Sequence, residues 1–151
     1  MTEGVEPKIL VPWEALPITR ENFFYWYKGV VNRVVDGDTY IVDVDFGARI
    51  IRQRYEVRGF GYDTYERFRR PLGMSDADWM IHQGRGLAAF LFVQSMMPGG
   101  SPVVLLSHRD EGDKYGRLLA SVYIPVPAGE EKVYIDLAAT LRENKFLKEG
   151  A

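Results

Sequence analysis

Four short segments carry side chains able to do chemistry together: Asp36-Gly37-Asp38-Thr39, Arg58, Asp63-Thr64-Tyr65-Glu66 and Asp113-Lys114-Tyr115-Gly116-Arg117. Arg58 stands five residues before Asp63 and eight before Glu66. The set holds charged oxygen ligands for a hard cation, a carboxylate able to serve as a base, and two guanidinium forks that match phosphate oxygens. Together those groups can break a phosphodiester. Asp38 and Asp63 can supply two charged ligands and leave positions for water and a phosphate oxygen. Asp36 is placed as a turn former or as support behind them. Each segment has a plainer reading alone: Asp36-Gly37-Asp38 is a common hairpin turn, Asp63 and Glu66 suit a solvated loop, and the arginines suit a surface. The order and spacing together favour a phosphodiesterase site.

The frame around these segments is that of an ordinary globular chain. It has 151 residues, enough for one domain with a sizeable core. Apolar residues make up 46% and charged residues 26%, and no apolar run is long enough to span a membrane. Zero cysteines exclude disulfides and thiolate metal sites. Met1 to Pro7 lacks a basic stretch leading into an apolar one, so a cytoplasmic protein is expected. The net charge is −2, which argues against a general polycation. Residues 49–70, however, hold seven arginines against Glu56, Asp63 and Glu66, a local excess of +4 suited to an anionic substrate.

The elements that must position these groups can be read from pattern. Residues 1–22 hold three prolines and read as an N-terminal arm, packed or partly loose; residues 23–151 read as a single domain. Strands are expected over Phe23–Val35, Thr39–Phe46 and Arg49–Arg58. An irregular stretch follows, then a helix from Ser75 or Asp76 to about Met97, with Trp79, Leu87, Phe90, Leu91 and Met97 among its apolar positions. Strands over Val103–Ser107 and Arg117–Ile124, a turn over Pro125–Glu131, a short strand near Lys132–Ile135 and a final helix capped by Asp136 complete the chain. The aromatic run Phe23-Phe24-Tyr25-Trp26-Tyr27 is expected to fill the core. The class is α+β, mainly β: a five-stranded OB-fold barrel with a helix inserted after strand 3 and a short C-terminal helix, of a kind that commonly binds nucleic acid.

Over roughly residues 27–146 the four segments resemble the staphylococcal nuclease (thermonuclease) family in order and spacing. The resemblance implies calcium-dependent hydrolysis of DNA and RNA. It implies that Asp38, Asp63 and the Thr64 carbonyl hold Ca²⁺, with Asp36 and Thr39 behind them. Glu66 then orients or deprotonates the attacking water, Arg58 and Arg117 clamp the phosphate, and Lys114 and Tyr115 lie against the terminal phosphate and nucleotide. The chain departs from the family at Tyr65, where proline is usual, and at Gly59-Phe60-Gly61-Tyr62, where the strand is usually apolar. A further C-terminal helix known in some members is not expected within these residues.

Three function classes follow. The first is a monomeric nuclease acting on DNA or RNA, preferably single-stranded, with little sequence specificity and no membrane partner. The second is an inert or weakly active barrel that binds single strands by stacking. The third is a protein-interaction domain using the aromatic strand. Neither His82 nor His108 is assigned to the site.

Overall fold

Alternation of apolar and polar residues from Trp26 onward builds a meander of three antiparallel strands: β2 (Trp26–Asp36), β3 (Thr39–Asp45) and β4 (Ile51–Gly59), after a short β1 (Leu10–Pro12). The structure, a computed structural model, describes residues 8–108, 116–128 and 131–148. Helix α1 (Asp76–Met96) follows, then β5 (Pro102–Ser107), β6 (Leu118–Ala128), β7 (Glu131–Asp136) and α2 (Leu137–Glu143). β5 pairs with both β2 and β6, and β6 lies parallel to β4, so five strands close into a mixed barrel in the order β5-β2-β3-β4-β6. The fold is OB-fold-like, mainly β, with two helices. No helix among the described residues is long and apolar enough to cross a membrane.

Inward positions of the barrel strands, among them Val31, Val42, Val44, Val57, Leu105 and Val122, form the core together with Leu137 and Leu141 of α2. Two expectations change. The aromatic run reaches the barrel core only at Tyr27, which packs against it: Phe23–Tyr25 is a 3-10 turn, Phe23 is exposed, and Trp26 packs on Tyr123 in a separate cluster. The segment at Pro125 is not a turn, because β6 continues to Ala128 and pairs with β7. Pro125 and Pro127 are two residues apart, so both missing N–H groups fall on one side of the strand, which a strand tolerates on an unpaired edge. Of the two readings of the arm, its described residues follow the packed one: β1 pairs with β7, Ile9 N–H donates to Thr140 Oγ1 at 2.9 Å, and Leu16 is buried. Helix α1 buries Gly86, Ala89, Phe92 and Val93, followed by Met97, while Leu87 and Leu91 stay exposed. The small residues allow the closer approach.

Ser75 caps α1, accepting from Asp78 N–H at 3.1 Å. The Gly59-Phe60-Gly61-Tyr62 segment has a packing role. Tyr62 is folded back over the Cα of Gly59, where a Cβ would fall inside the ring. Its buried hydroxyl meets that of Tyr40 at 2.5 Å, and Tyr40 Oη also donates to the Gly37 carbonyl at 2.5 Å. Burial pushes both phenols well above their usual value, so they remain neutral hydrogen-bonding groups. This chain joins the Asp36–Thr39 turn to the residue before Asp63.

Tyr40→Phe should therefore destabilise by about 1–3 kcal/mol, since it strands the Tyr62 hydroxyl and the Gly37 carbonyl in the core. Urea unfolding reads this directly, and an unchanged midpoint would show that the hydroxyl pair contributes nothing.

Candidate active site

The β2–β3 turn delivers Asp36, Asp38 and Thr39 to one end of the barrel. Its glycine is needed for space: a Cβ on Gly37 would lie 2.7 Å from Thr64 Cγ2 and 3.0 Å from Ala89 Cβ of α1. Asp38 is held from three sides. Its Oδ1 accepts from the Thr39 hydroxyl at 3.1 Å, and its Oδ2 accepts from Thr64 N–H at 3.0 Å and faces Arg58 Nη1 at 3.1 Å. Thr39 pairs with Arg58 across β3 and β4, which places Arg58 beside the turn.

Arg58 bridges the two aspartates. Its Nη2 is bonded to Asp63 Oδ1, and its Nη1 donates to the Tyr62 carbonyl at 2.9 Å. Asp38 is largely enclosed, whereas 52% of the Asp63 side chain is exposed. Thr64 is buried, and its Oγ1 has no hydrogen-bond partner, alone among buried side-chain atoms of the described residues.

Glu66 is set by α1. Its backbone N–H donates to His82 Nε2 at 2.8 Å, which fixes the imidazole as the neutral tautomer protonated at Nδ1. One helical turn on, Gly86 lies so close that a Cβ would come within 2.6 Å of the Tyr65 carbonyl oxygen and 2.8 Å of that of Glu66. His82 and Gly86, at i and i+4, thus clamp the Glu66 backbone on one helix face. The Glu66 carboxylate pairs with Lys148 Nζ at 3.0 Å. Lys148 arrives because its N–H donates to the Asp63 carbonyl at 2.9 Å beside the Thr64–Leu147 bridge.

The parallel pairing of Val57 with Leu118 carries Arg117 alongside β4, where its Nε faces Glu56 Oε2 at 3.7 Å. Asp36 pairs with Arg67 at 2.9 Å. Burial raises the Asp36 pKa most, with the Arg67 hydrogen bond and charge opposing. Asp36, Asp38, Thr39, Arg58, Asp63, Glu66 and Arg117 line one cavity of about 350 Å³, together with Phe68 and Arg69. Thr64 lies behind it. Lys114 and Tyr115 fall outside the described residues.

Three supporting groups went unassigned in the sequence: His82, Lys148 and Arg67. Arg67 was visible only as part of the basic stretch. His82 and Lys148 carry no local signal, since each acts across a long chain separation.

The donor chemistry suits an oxygen-seeking cation. Two carboxylates from different segments converge on one positive group, the Arg58 guanidinium. No three acidic or histidine side chains gather as a metal cage among the described residues, so a cation here would need backbone, water or substrate oxygens as well. In comparisons with known proteins, no family model and no curated protein matches the chain.

His82 gives the site a pH dependence. Desolvation by burial, followed by the charge of Lys148, lowers its pKa, with Glu66 opposing and Arg85 adding to the fall. The unfolded chain therefore takes up the proton first, so stability should be full above the ordinary histidine value of about 6.5 and fall as pH drops through it. His82→Gln keeps an acceptor without titrating and should flatten that slope between about pH 7 and pH 5. Equal slopes for both proteins in thermal melts would remove His82 from the linkage.

Proposed function

We propose that this protein is a metal-dependent phosphodiesterase acting on nucleic-acid strands, a nuclease of the thermonuclease kind with Ca²⁺ as its metal. One observation carries the reading: two aspartates, a glutamate and two arginines, drawn from all four segments of sequence singled out above, line a single cavity of about 350 Å³. A surface of unrelated solvated charges has no reason to converge in this way.

Asp38, Asp63 and the Thr64 carbonyl are the residues that would hold the cation. When bound it would supply a Lewis acid for the phosphoryl oxygen. Glu66 orients a water and takes its proton, and the water oxygen bonds to phosphorus as the opposite P–O bond breaks. The leaving oxygen regains a proton from solvent. Arg58 and Arg117 stabilise charge growing on the phosphoryl oxygens, a preorganised electrostatic effect that is often the largest contribution. Asp36, Thr39, His82 and Arg67 hold these groups in place.

A second reading, a barrel that binds single strands and cuts weakly or not at all, draws on a different observation. Arg58 is bonded to both aspartates, and Glu66 to Lys148. Those ion pairs must give way before either group can work on a substrate.

Purified protein with single-stranded DNA, duplex DNA and RNA should cleave in Ca²⁺, poorly in Mg²⁺, whose tighter octahedral shell suits the site less, and not in excess chelator. Strand binding without cleavage under every condition would favour the second reading.

Glu66→Gln should lower kcat by about 10²-fold or more. Arg58→Ala should act in two directions. Turnover should fall by about 10²- to 10³-fold, while calcium affinity, read by calorimetry, should rise because two aspartates lose their counter-charge. Weaker calcium binding in Arg58→Ala would contradict the assignment of Asp38 and Asp63.

A further inference from the structure

On the far side of Glu66 lies a second and larger hollow, of about 580 Å³, between α1 and the segment that follows α2. Four cations line it: Arg85 from α1, Arg142 from α2, and Lys145 and Lys148 beyond it. Two aromatic rings, Tyr65 and Phe146, join them. Tyr65, the residue that departs from the family proline, therefore faces this groove and is not among the residues lining the smaller cavity.

The groove and the cavity share a wall. Tyr65 and Glu66 are consecutive, and Lys148, on the groove side, reaches Glu66 at 3.0 Å. Arg85 Nη1 donates to Tyr65 Oη at 3.1 Å, with its guanidinium 5.2 Å from the ring centroid. Arg142 and Lys145 are exposed and have no acidic partner among the described residues. Lys145 also sits at φ 61°, in the left-handed region at the end of α2, a position where glycine is the unstrained residue. The chain thus keeps a long cation where its backbone favours no side chain.

We propose that this groove is a second station for the nucleic-acid strand, with Arg142 and Lys145 holding a backbone phosphate and Tyr65 offering its ring to a base next to the scissile phosphate. Interleaved cations and aromatic rings are the combination that binds single strands without reading sequence. An acidic protein would find the same charges but no use for the rings. The inference rests on the reading of the neighbouring cavity as a phosphodiester site, and its test separates the two.

Binding of a fluorescent single-stranded oligonucleotide is measured by anisotropy in chelator, for the full chain and for three variants. The double variant Arg142→Gln/Lys145→Gln should bind about tenfold more weakly, with a salt slope shallower by about 0.7, the contribution of the one phosphate the two side chains hold on a single strand. Tyr65→Ala should bind about fivefold more weakly or worse. Lys145→Gly removes a cation and relieves the left-handed backbone, so its affinity should fall while its melting temperature does not; this guards against a merely structural effect. In Ca²⁺, the double variant should cleave the small diester bis(4-nitrophenyl) phosphate as the parent does, but show a raised KM for a long strand. The proposal is overturned if the parent does not bind the oligonucleotide, or if the variants bind with parental affinity and salt slope. It is also overturned if inorganic phosphate or polyglutamate, at equal charge, displaces the strand as well as unlabelled oligonucleotide does. Binding that follows these expectations while no substrate is cut would uphold the groove and defeat the nuclease reading.

Discussion

Four carboxylates crowd one end of this barrel, and like charges at such range repel unless each is answered. Asp36 is answered by Arg67, Asp38 and Asp63 by Arg58, and Glu66 by Lys148. The rest of the site depends on that balance. The answering cations come from β4, from the loop after it and from the segment after α2, so the pocket exists only when the barrel is closed and both helices are docked. The balance also sets the terms for chemistry. A group that is fully satisfied in the free protein is a poor catalyst until substrate or cation takes over one of its partners. Breaking a partly buried pair by removing one member leaves an uncompensated charge, which makes exchange of partners the cheaper route.

Helix α1 is the strut of the arrangement. Ala89 lies against the Gly37 turn, Gly86 against the Tyr65 and Glu66 carbonyls, and His82 takes the Glu66 N–H. The glutamate therefore sits on an irregular loop whose backbone is gripped from the helix side. Loops carry function best when a rigid element supports them. The Tyr40–Tyr62 hydroxyl pair does the same for the aspartates, tying the turn to the strand exit through the core. The groups lining the smaller cavity are thus held by hydrogen bonds made deeper in the molecule, where the local dielectric strengthens them.

Tyr62 and Gly59 show how local departures compensate. Glycine at the end of β4 weakens the strand by itself, yet it makes room for the ring that closes the hydroxyl pair. Tyr65 shows the opposite case. Its ring turns away from the smaller cavity toward Arg85 and the larger groove.

The sequence by itself determined the order of strands and helices from β2 onward, the turn at Asp36–Thr39, the cap pair Ser75 and Asp136, and which segments carry carboxylates and arginines. Those features are local: alternation, turn residues and capping chemistry act within a few positions. It misled where local pattern was ambiguous, in the aromatic run at Phe23 and the prolines of β6. Only the tertiary structure decided what meets what. Parallel pairing of β4 with β6 carries Arg117 beside the β4 strand that holds Arg58. Docking of α1 brings His82 to Glu66, 16 residues away. The segment after α2 brings Lys148 to the same carboxylate across 82 residues. Such contacts depend on how the whole core closes, and no window of sequence contains both partners together with the surfaces that press them into reach.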